Sequence, residues 1–287
     1  MECRICLSPK TKIKFNVNHF KPSFKIYECM ECGFQFQDID YKDAYRFYEE
    51  GYYTGSSSFN YQDERKMEEA SRIVWKARIK KLLQVSHSGN YLDIGCSFGG
   101  LMQTANEAGF EVYGAEVSNF SGEYSEKRFG NNKIFIGNIE NMELPKDYFS
   151  AITMIEVIEH LFDPIKALLN IYESMKSGGI LLIQTADMGG LQAKWGKERY
   201  HYYLPGHLSY FTRKNLTEVL KKIGFSRVKF FGGVEFGLLP KLQKSCCGFQ
   251  QLTDYLKWIK ISFYHFASKI SFGSFHFTSS MVLYIWK

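Results

Sequence analysis

The chain reads as an α/β protein: a doubly wound, mostly parallel sheet of seven strands, preceded by a small cysteine-bearing module. Three observations predict this. Strand-like runs recur at Tyr91–Ile94, Val112–Ala115, Ile134–Ile136, Phe149–Ile155, Ile180–Gln184 and Val228–Phe231, with helical patterns between most of them, and Met281 to Trp286 makes a last strand. Such alternation means a parallel sheet with helices on both faces. The stretch Tyr91-Leu92-Asp93-Ile94-Gly95-Cys96-Ser97-Phe98-Gly99-Gly100 joins the first of these strands to a helix through a glycine-rich turn. Two Cys-x-x-Cys pairs, Cys3/Cys6 and Cys29/Cys32, stand in front of the series.

In chain order, the cysteine module spans residues 1–40. Its pairs are separated by 22 residues, the usual loop of a zinc ribbon, and four thiolates so spaced suit a tetrahedral Zn2+. Ile13, Phe15 and Val17 alternate with Lys12, Lys14, Asn16 and Asn18, and Phe24 and Ile26 resume after Lys21-Pro22-Ser23, a hairpin pattern. Four protein ligands leave no open position for chemistry, so the expected zinc is structural. The vicinal pair Cys246-Cys247 reads as packing, and Cys96 as a small buried side chain within the glycine turn.

Residues 41–88 form a helical linker. Tyr45, Phe47, Tyr48, Tyr52 and Tyr53 cluster before Gly55-Ser56-Ser57-Ser58, either to cover a cofactor pocket or to pack the cysteine module on the main domain. A helix follows over about 63–83, with Met67, Ala70, Ile73, Val74 and Ala77 on its apolar stripe.

The main domain is expected over 89–287. Asp163-Pro164 starts one helix that ends at Ser177-Gly178-Gly179, and Thr212 caps another that stops at Gly224. An insertion at about 238–275 carries Leu252, Leu256, Ile259, Phe263, Phe266 and Ile270 at helical spacing beside Lys257, Lys260 and Lys269. This stripe is expected to cap the core or form a homodimer contact, with peripheral membrane contact through residues 252–272 as the alternative.

Composition narrows the class. With 287 residues and 45% hydrophobic content the chain can bury a substantial core, which excludes disorder. Its 36 basic and 30 acidic residues give a net charge of +6 without any block of like charges, which disfavours nucleic acid as a partner. The N-terminus lacks an apolar signal segment and no uncharged run of about 18 residues exists, so a cytoplasmic location is expected.

The glycine turn carries the chemistry. Backbone without side chains can approach a nucleoside cofactor, and Glu116, 21 positions after Gly95 at the end of the next strand, can accept ribose hydroxyls. Dinucleotides and S-adenosylmethionine are both held this way. Ser97 stands where a dinucleotide fingerprint wants its second glycine, which weakens that reading. Gly137-Asn138-Ile139-Glu140 and Ile155-Glu156-Val157-Ile158-Glu159-His160-Leu161 follow the third and fourth strands, at carboxyl ends where such sheets bind ligands.

Together these residues resemble class I S-adenosylmethionine-dependent methyltransferases, in particular the branch similar to quinone-biosynthesis and sugar or natural-product enzymes, over roughly residues 90–235 and the last strand. The resemblance implies a Rossmann-like fold and S-adenosylmethionine as cofactor. It implies that the loop of Asp93, Gly95, Cys96, Ser97 and Gly99 wraps the methionine part, that Glu116 with Val117 takes the ribose, and that Asn138 and Ile139 meet the adenine. Ile155, Glu156, Glu159 and His160 look like the family's block bordering methyl transfer. The cysteine pairs, the segment Phe47-Tyr48-Glu49-Glu50-Gly51-Tyr52-Tyr53 and Gly206-His207-Leu208-Ser209-Tyr210-Phe211-Thr212 resemble family members with a zinc-binding front end, some acting on deoxysugars. Those that methylate carbon tend to carry a further long domain without counterpart here, so oxygen is the expected acceptor atom.

Methyl transfer is an in-line displacement that depends mainly on alignment. A hydroxyl acceptor benefits from a base, for which His160 is the first candidate and His207 the second; ordinary orienting roles compete for both. The expectation is methyl transfer to a small-molecule or saccharide oxygen. An RNA base methyltransferase and a non-catalytic cofactor-binding protein are the alternatives.

Overall fold

The computed structural model describes residues 1–45, 48, 50–54, 63–232, 235–272 and 275–287, with the side chains of Tyr52 and Phe272 excepted. Phe47, Glu49 and the stretch 55–58 singled out in the sequence lie outside the described residues.

Three strands build the cysteine module: β1 (Thr11–Val17), β2 (Phe24–Cys29) and β3 (Gln35–Gln37). β1 pairs antiparallel with β2, and β2 with β3, so the predicted hairpin gains a third strand. Short helices α1 (Tyr41–Ala44) and α2 (Glu50–Thr54) lead to α3 (Glu68–Leu82). Then β4 (Asn90–Ile94), α4 (Gly100–Glu107), β5 (Glu111–Glu116), α5 (Asn119–Phe129), β6 (Ile134–Ile136), β7 (Phe149–Ile155), α6 (Pro164–Ser174) and β8 (Met175–Ala186) alternate as expected. The chain continues through α7 (Leu191–Gly196), β9 (Ser209–Tyr210), α8 (Arg213–Ile223) and β10 (Arg227–Phe231). Last come α9 (Leu239–Cys246), α10 (Leu256–Ala267), the paired β11 (Ser271–Phe272) and β12 (Phe275–His276), and β13 (Ser280–Trp286).

The main sheet has seven strands in the order β10-β13-β8-β7-β4-β5-β6, and β13 alone runs antiparallel to its neighbours. Helices on both faces bury the central strands, which explains why Tyr91, Leu92, Ile152, Met154 and Leu181 to Ile183 read as continuous apolar runs. Chain order reverses between β4 and β7, so their carboxyl ends open a crevice suited to a ligand. The predicted caps hold: Asp163 accepts from Lys166 N–H, and Thr212 and Asn215 form a reciprocal capping box.

The cysteine module is continuous with the main domain. β3 pairs antiparallel with β9, placing Gln35 opposite Tyr210 and Phe36 opposite Ser209. Phe34 and Phe36 share one buried cluster with Phe211, Leu161 and the core of the main sheet. Arg4, between the first two cysteines, donates to the carbonyl of Gln37 at 2.8 Å and lies 4.0 Å over the ring of Phe162.

The insertion corrects one expectation. The predicted stripe does not cap the core: Leu252, Ile259 and Phe263 are 88%, 68% and 65% exposed, and Leu256, Phe266 and Ile270 also face outward. α10 turns its other side inward, burying His265 and Ala267, while Tyr264 donates to Gln192. Among the described residues no helix is long and apolar enough to cross a membrane.

Candidate active site

The turn after β4 takes three left-handed residues, Gly95 (φ 74°), Ser97 (φ 50°) and Gly99 (φ 78°). Gly95 and Cys96 N–H donate to the Ala115 carbonyl at 2.8 and 3.2 Å, bending the turn over the end of β5. A Cβ on Gly95 would come within 2.5 Å of Val157 Cγ2, so glycine serves close packing as well as backbone conformation. Ser97 adopts the same region with a side chain, a local strain of the kind that gathers at functional sites.

Glu116 closes β5 and is buried. Its Oε2 accepts from Ser97 N–H at 2.8 Å, and its Oε1 from Ser118 N–H at 3.0 Å and Tyr53 O–H at 2.9 Å. Burial pushes its pKa up, and these donors oppose the shift. Beyond β6, Asn138 accepts from Glu140 N–H at 3.0 Å and donates to Tyr41 Oη at 3.2 Å.

At the end of β7, Glu156 also occupies the left-handed region (φ 54°), followed by a single helical turn over Ile158–His160. Glu156 accepts from Gln184 Nε2 at 2.7 Å and Tyr202 O–H at 2.8 Å. Glu159, fully buried, accepts from Thr185 O–H at 2.9 Å and also from Tyr202 O–H. Burial raises the Glu159 pKa well above the carboxylate range, reinforced by the Glu156 charge.

Both histidines are fixed through Nδ1. His160 Nδ1 lies 2.8 Å from the Gly206 carbonyl and 2.6 Å from Tyr48 Oη, and His207 Nδ1 lies 2.8 Å from the Tyr202 carbonyl. A carbonyl only accepts, so each Nδ1 carries the proton and Nε2 is the basic nitrogen. Burial pulls the His160 pKa down and that of His207 well below its usual value, so both rings are neutral at pH 7.

A cavity of about 510 Å³ joins these groups. Among the predicted site residues, Gly95, Ser97, Glu116, Val117, Asn138, Ile139, Ile155, Glu156, His160 and His207 line it. Asp93, Cys96 and Gly99 do not. Asp93 pairs in register with Thr153 of β7 and accepts from its hydroxyl at 2.6 Å, one layer behind the cavity. Cys96 points into the apolar cluster of Tyr91 and Met102, and Gly99 packs on Phe129. Tyr45, Tyr48 and Tyr53 also form part of the wall. Gly206, which opens the segment singled out in the sequence, also lines it, and Phe20 joins the lining without a local sequence signal, since long-range packing brings it there.

The four cysteines gather together, with their sulfur atoms all within 4.8 Å of one another. Cys3 and Cys32 Sγ are 3.6 Å apart, Cys6 and Cys29 Sγ 3.5 Å, and no disulfide joins them. Sulfurs bound tetrahedrally at about 2.3 Å from Zn2+ stand about 3.8 Å apart, so the donor set and its spacing fit that ion.

Residues 65–229 match the family model described as a methyltransferase domain. A tRNA U34 carboxymethyltransferase of Wolinella succinogenes is 30% identical over 125 residues, 41% of this chain and 43% of that protein, so the chain spans less than half the length of this curated relative. Among solved structures, an S-adenosylmethionine-dependent methyltransferase from Archaeoglobus fulgidus superposes with a TM-score of 0.50 at 17% identity, over 76% of this chain and 95% of that one. Phosphoethanolamine N-methyltransferase 2 of Haemonchus contortus, in complex with S-adenosyl-L-methionine, gives 0.52 at 16% identity, over 86% and 59%. At such identities the structures speak for the fold. The family match, spanning over half of the sequence and the whole crevice from the glycine turn to His207, shows that the chain belongs to the methyltransferase-domain family, whose S-adenosylmethionine-dependent fold it shares.

Proposed function

We propose that the chain moves the methyl group of S-adenosylmethionine to a hydroxyl oxygen of a small-molecule or saccharide acceptor. The observation that carries this reading is one cavity running across the carboxyl ends of β5, β4 and β7, with Glu116 and the glycine turn on one side and Glu156, Glu159, His160 and His207 on the other. In this reading the turn of Gly95, Cys96, Ser97 and Gly99 holds the methionine part of the cofactor, while Asp93 braces that turn from behind. Glu116 and Val117 hold the ribose, Asn138 and Ile139 the adenine, and Ile155 and Glu156 border the sulfonium. Zn2+ on Cys3, Cys6, Cys29 and Cys32 would staple the module of residues 1–40, the segment 41–88 would cover the pocket, and 89–287 would be the catalytic domain.

Attack on the methyl carbon forms the O–C bond as the C–S bond breaks, and the electron pair stays on sulfur. Alignment supplies most of the rate. The hydroxyl proton must leave, and neutral His160, with Nδ1–H held by Gly206, presents Nε2 as its acceptor. His207 stands beside it, ring centroids 4.7 Å apart.

A second reading, methylation of RNA, is favoured by the name of the Wolinella relative, a tRNA-modifying enzyme. Incubation of the purified chain with methyl-labelled cofactor and cell extract, followed by mass analysis, separates the two. Label in a metabolite or polysaccharide fraction supports the proposal, and label confined to RNA refutes it. Absence of both binding heat and thermal stabilisation with saturating S-adenosylmethionine would refute either enzyme reading.

A further inference from the structure

A second cavity, of about 690 Å³, shares no lining residue with the first. It lies between α3, α9 and α10 and against β8 and β13, and its size suits a small organic molecule. The insertion supplies Lys241 and Lys244 from α9 and Lys260, Ile261 and His265 from α10, while α3 adds Val74, Trp75 and Arg78.

Its charge is one-sided. Four cationic side chains, those of Arg78, Lys241, Lys244 and Lys260, line it, and among the described residues no aspartate or glutamate does. Arg78 is already committed, its Nε donating to buried Glu235 at 2.5 Å and a terminal nitrogen donating to Gln184. Lys244 donates to the Ser71 hydroxyl at 2.9 Å, and among the described residues none of the three lysines forms an ion pair with a carboxylate. Burial pulls the pKa of Lys241 and of Lys244 down, and the Arg78 charge adds to this; Glu235 near the first and Glu64 near the second oppose the shift without reversing it. Buried cations are ordinarily paired. An anion in the cavity would supply the missing partner and favour the charged form of both lysines. His265, 5% exposed, has a buried Nδ1 without a hydrogen-bond partner, which in one tautomer is a further donor.

We infer that this cavity binds a phosphomonoester carried on a compact apolar body, with Lys241 and Lys244 at the phosphate, exposed Lys260 at the rim, and Trp75 and Phe236 against the body. Phosphate fits better than carboxylate. A carboxylate is best held by the planar fork of an arginine, and the fork of Arg78 is occupied by Glu235 and Gln184, whereas lysines act as point charges that suit a phosphate dianion. The apolar part of the wall would shed water onto the body of the ligand. Binding here needs neither S-adenosylmethionine nor a methyl acceptor, so this site and the proposed reaction can fail separately.

The test uses the full-length chain with its cysteine site loaded with zinc, without S-adenosylmethionine, and phenyl phosphate as the probe. Calorimetric titration should show saturable binding of one phenyl phosphate per chain, tighter than that of inorganic phosphate, which lacks the apolar body. Lys241→Gln and Lys244→Gln combined should weaken binding roughly 10-fold or more, with the fold retained by circular dichroism. No saturable binding up to millimolar phenyl phosphate, equal affinity in the double variant, or inorganic phosphate binding as tightly as the ester overturns the inference. So does a single-stranded RNA oligonucleotide that binds more tightly than phenyl phosphate and is displaced by it, which would make the site a nucleic-acid contact. If the double variant fails to fold, Lys260→Gln at its exposed position decides instead: affinity lower by roughly 3-fold supports the site, and unchanged affinity refutes it.

Discussion

Replacing Arg4 by alanine tests how firmly the cysteine module supports the acceptor side of the cavity. The Arg4 guanidinium donates to the Gln37 carbonyl at 2.8 Å, a charge-assisted bond of roughly 1.5–3 kcal/mol. It also lies 4.0 Å over the Phe162 ring, worth roughly 1–2 kcal/mol when desolvated. Contacts to Leu208 and Ile39 carbonyls at 3.4 and 3.5 Å are long and add little. Burial lowers the Arg4 pKa to about 10, so the group remains charged at pH 7. Arg4→Ala should therefore cost about 3 kcal/mol, which for a chain of this size lowers the melting temperature by roughly 6–12 °C. The functional effect should be selective. Leu208 receives Gln37 N–H at 3.0 Å and donates to the Glu159 carbonyl at 2.7 Å, so loosening this edge disturbs Glu159 and His207 while leaving Glu116 and the glycine turn in place. Thermal unfolding, calorimetry with S-adenosylmethionine and methyl-transfer rates should show lower stability, nearly unchanged cofactor affinity and slower transfer. Arg4→Lys keeps the charge without the planar stacking and should recover about half of the stability. A fall of less than about 1 °C, or loss of cofactor affinity in step with turnover, would refute the reasoning.

Two further perturbations separate the remaining roles. Glu116→Ala removes the acceptor for two ribose hydroxyls and should weaken S-adenosylmethionine binding roughly 10- to 100-fold, an effect of about 1.5–3 kcal/mol that calorimetry reads directly; unchanged affinity would remove Glu116 from the cofactor site. Asp93 is buried, and desolvation raises its pKa from 3.8 to about 7. The folded state therefore holds this proton more tightly than the unfolded one, and the associated stability, fully present below about pH 4, is lost as pH rises toward 7. Asp93→Asn, which keeps an oxygen for Thr153, should flatten that decline, gaining on the order of 2–4 kcal/mol relative to the parent between pH 5 and pH 8. Parallel melting curves for the two proteins across that range would contradict the raised pKa.

Much of the crevice was legible because its signals are local. The spacing from Gly95 to Glu116 spans one strand-turn-helix-strand unit, and the cysteine pairs carry their geometry in their own spacing. Asp93 lies behind the cavity for a local reason too. Successive residues of a strand point to opposite faces, and the register against β7 sets Asp93 beside Thr153 and away from the turn that follows it. Other contacts lie beyond any local signal. Tyr53 reaches Glu116 across 63 positions, Tyr202 reaches Glu159 across 43, and β9 has only two residues, too few to show a period. The shared sheet of the cysteine module and the acceptor loop depends on that short strand, so no pattern in the sequence could announce it.

The insertion shows a different limit. Periodicity finds a face of a helix but does not say which way it turns, and α10 has two faces to offer. Leu256, Ile259, Phe263 and Phe266 form the longer apolar stripe, whereas Trp258, Ile261 and His265 form a second at the same spacing. The second faces the protein: Trp258 donates to Ser245 at 3.0 Å, His265 is buried, and neighbouring Tyr264 reaches Gln192 on α7. The Trp258 and Tyr264 donors require fixed partners, whereas an aliphatic stripe accepts any apolar surface, so these two directional bonds favour this rotation of the helix. The more hydrophobic face is consequently the one left to solvent, which is why a rule based on apolar content alone pointed the helix the wrong way.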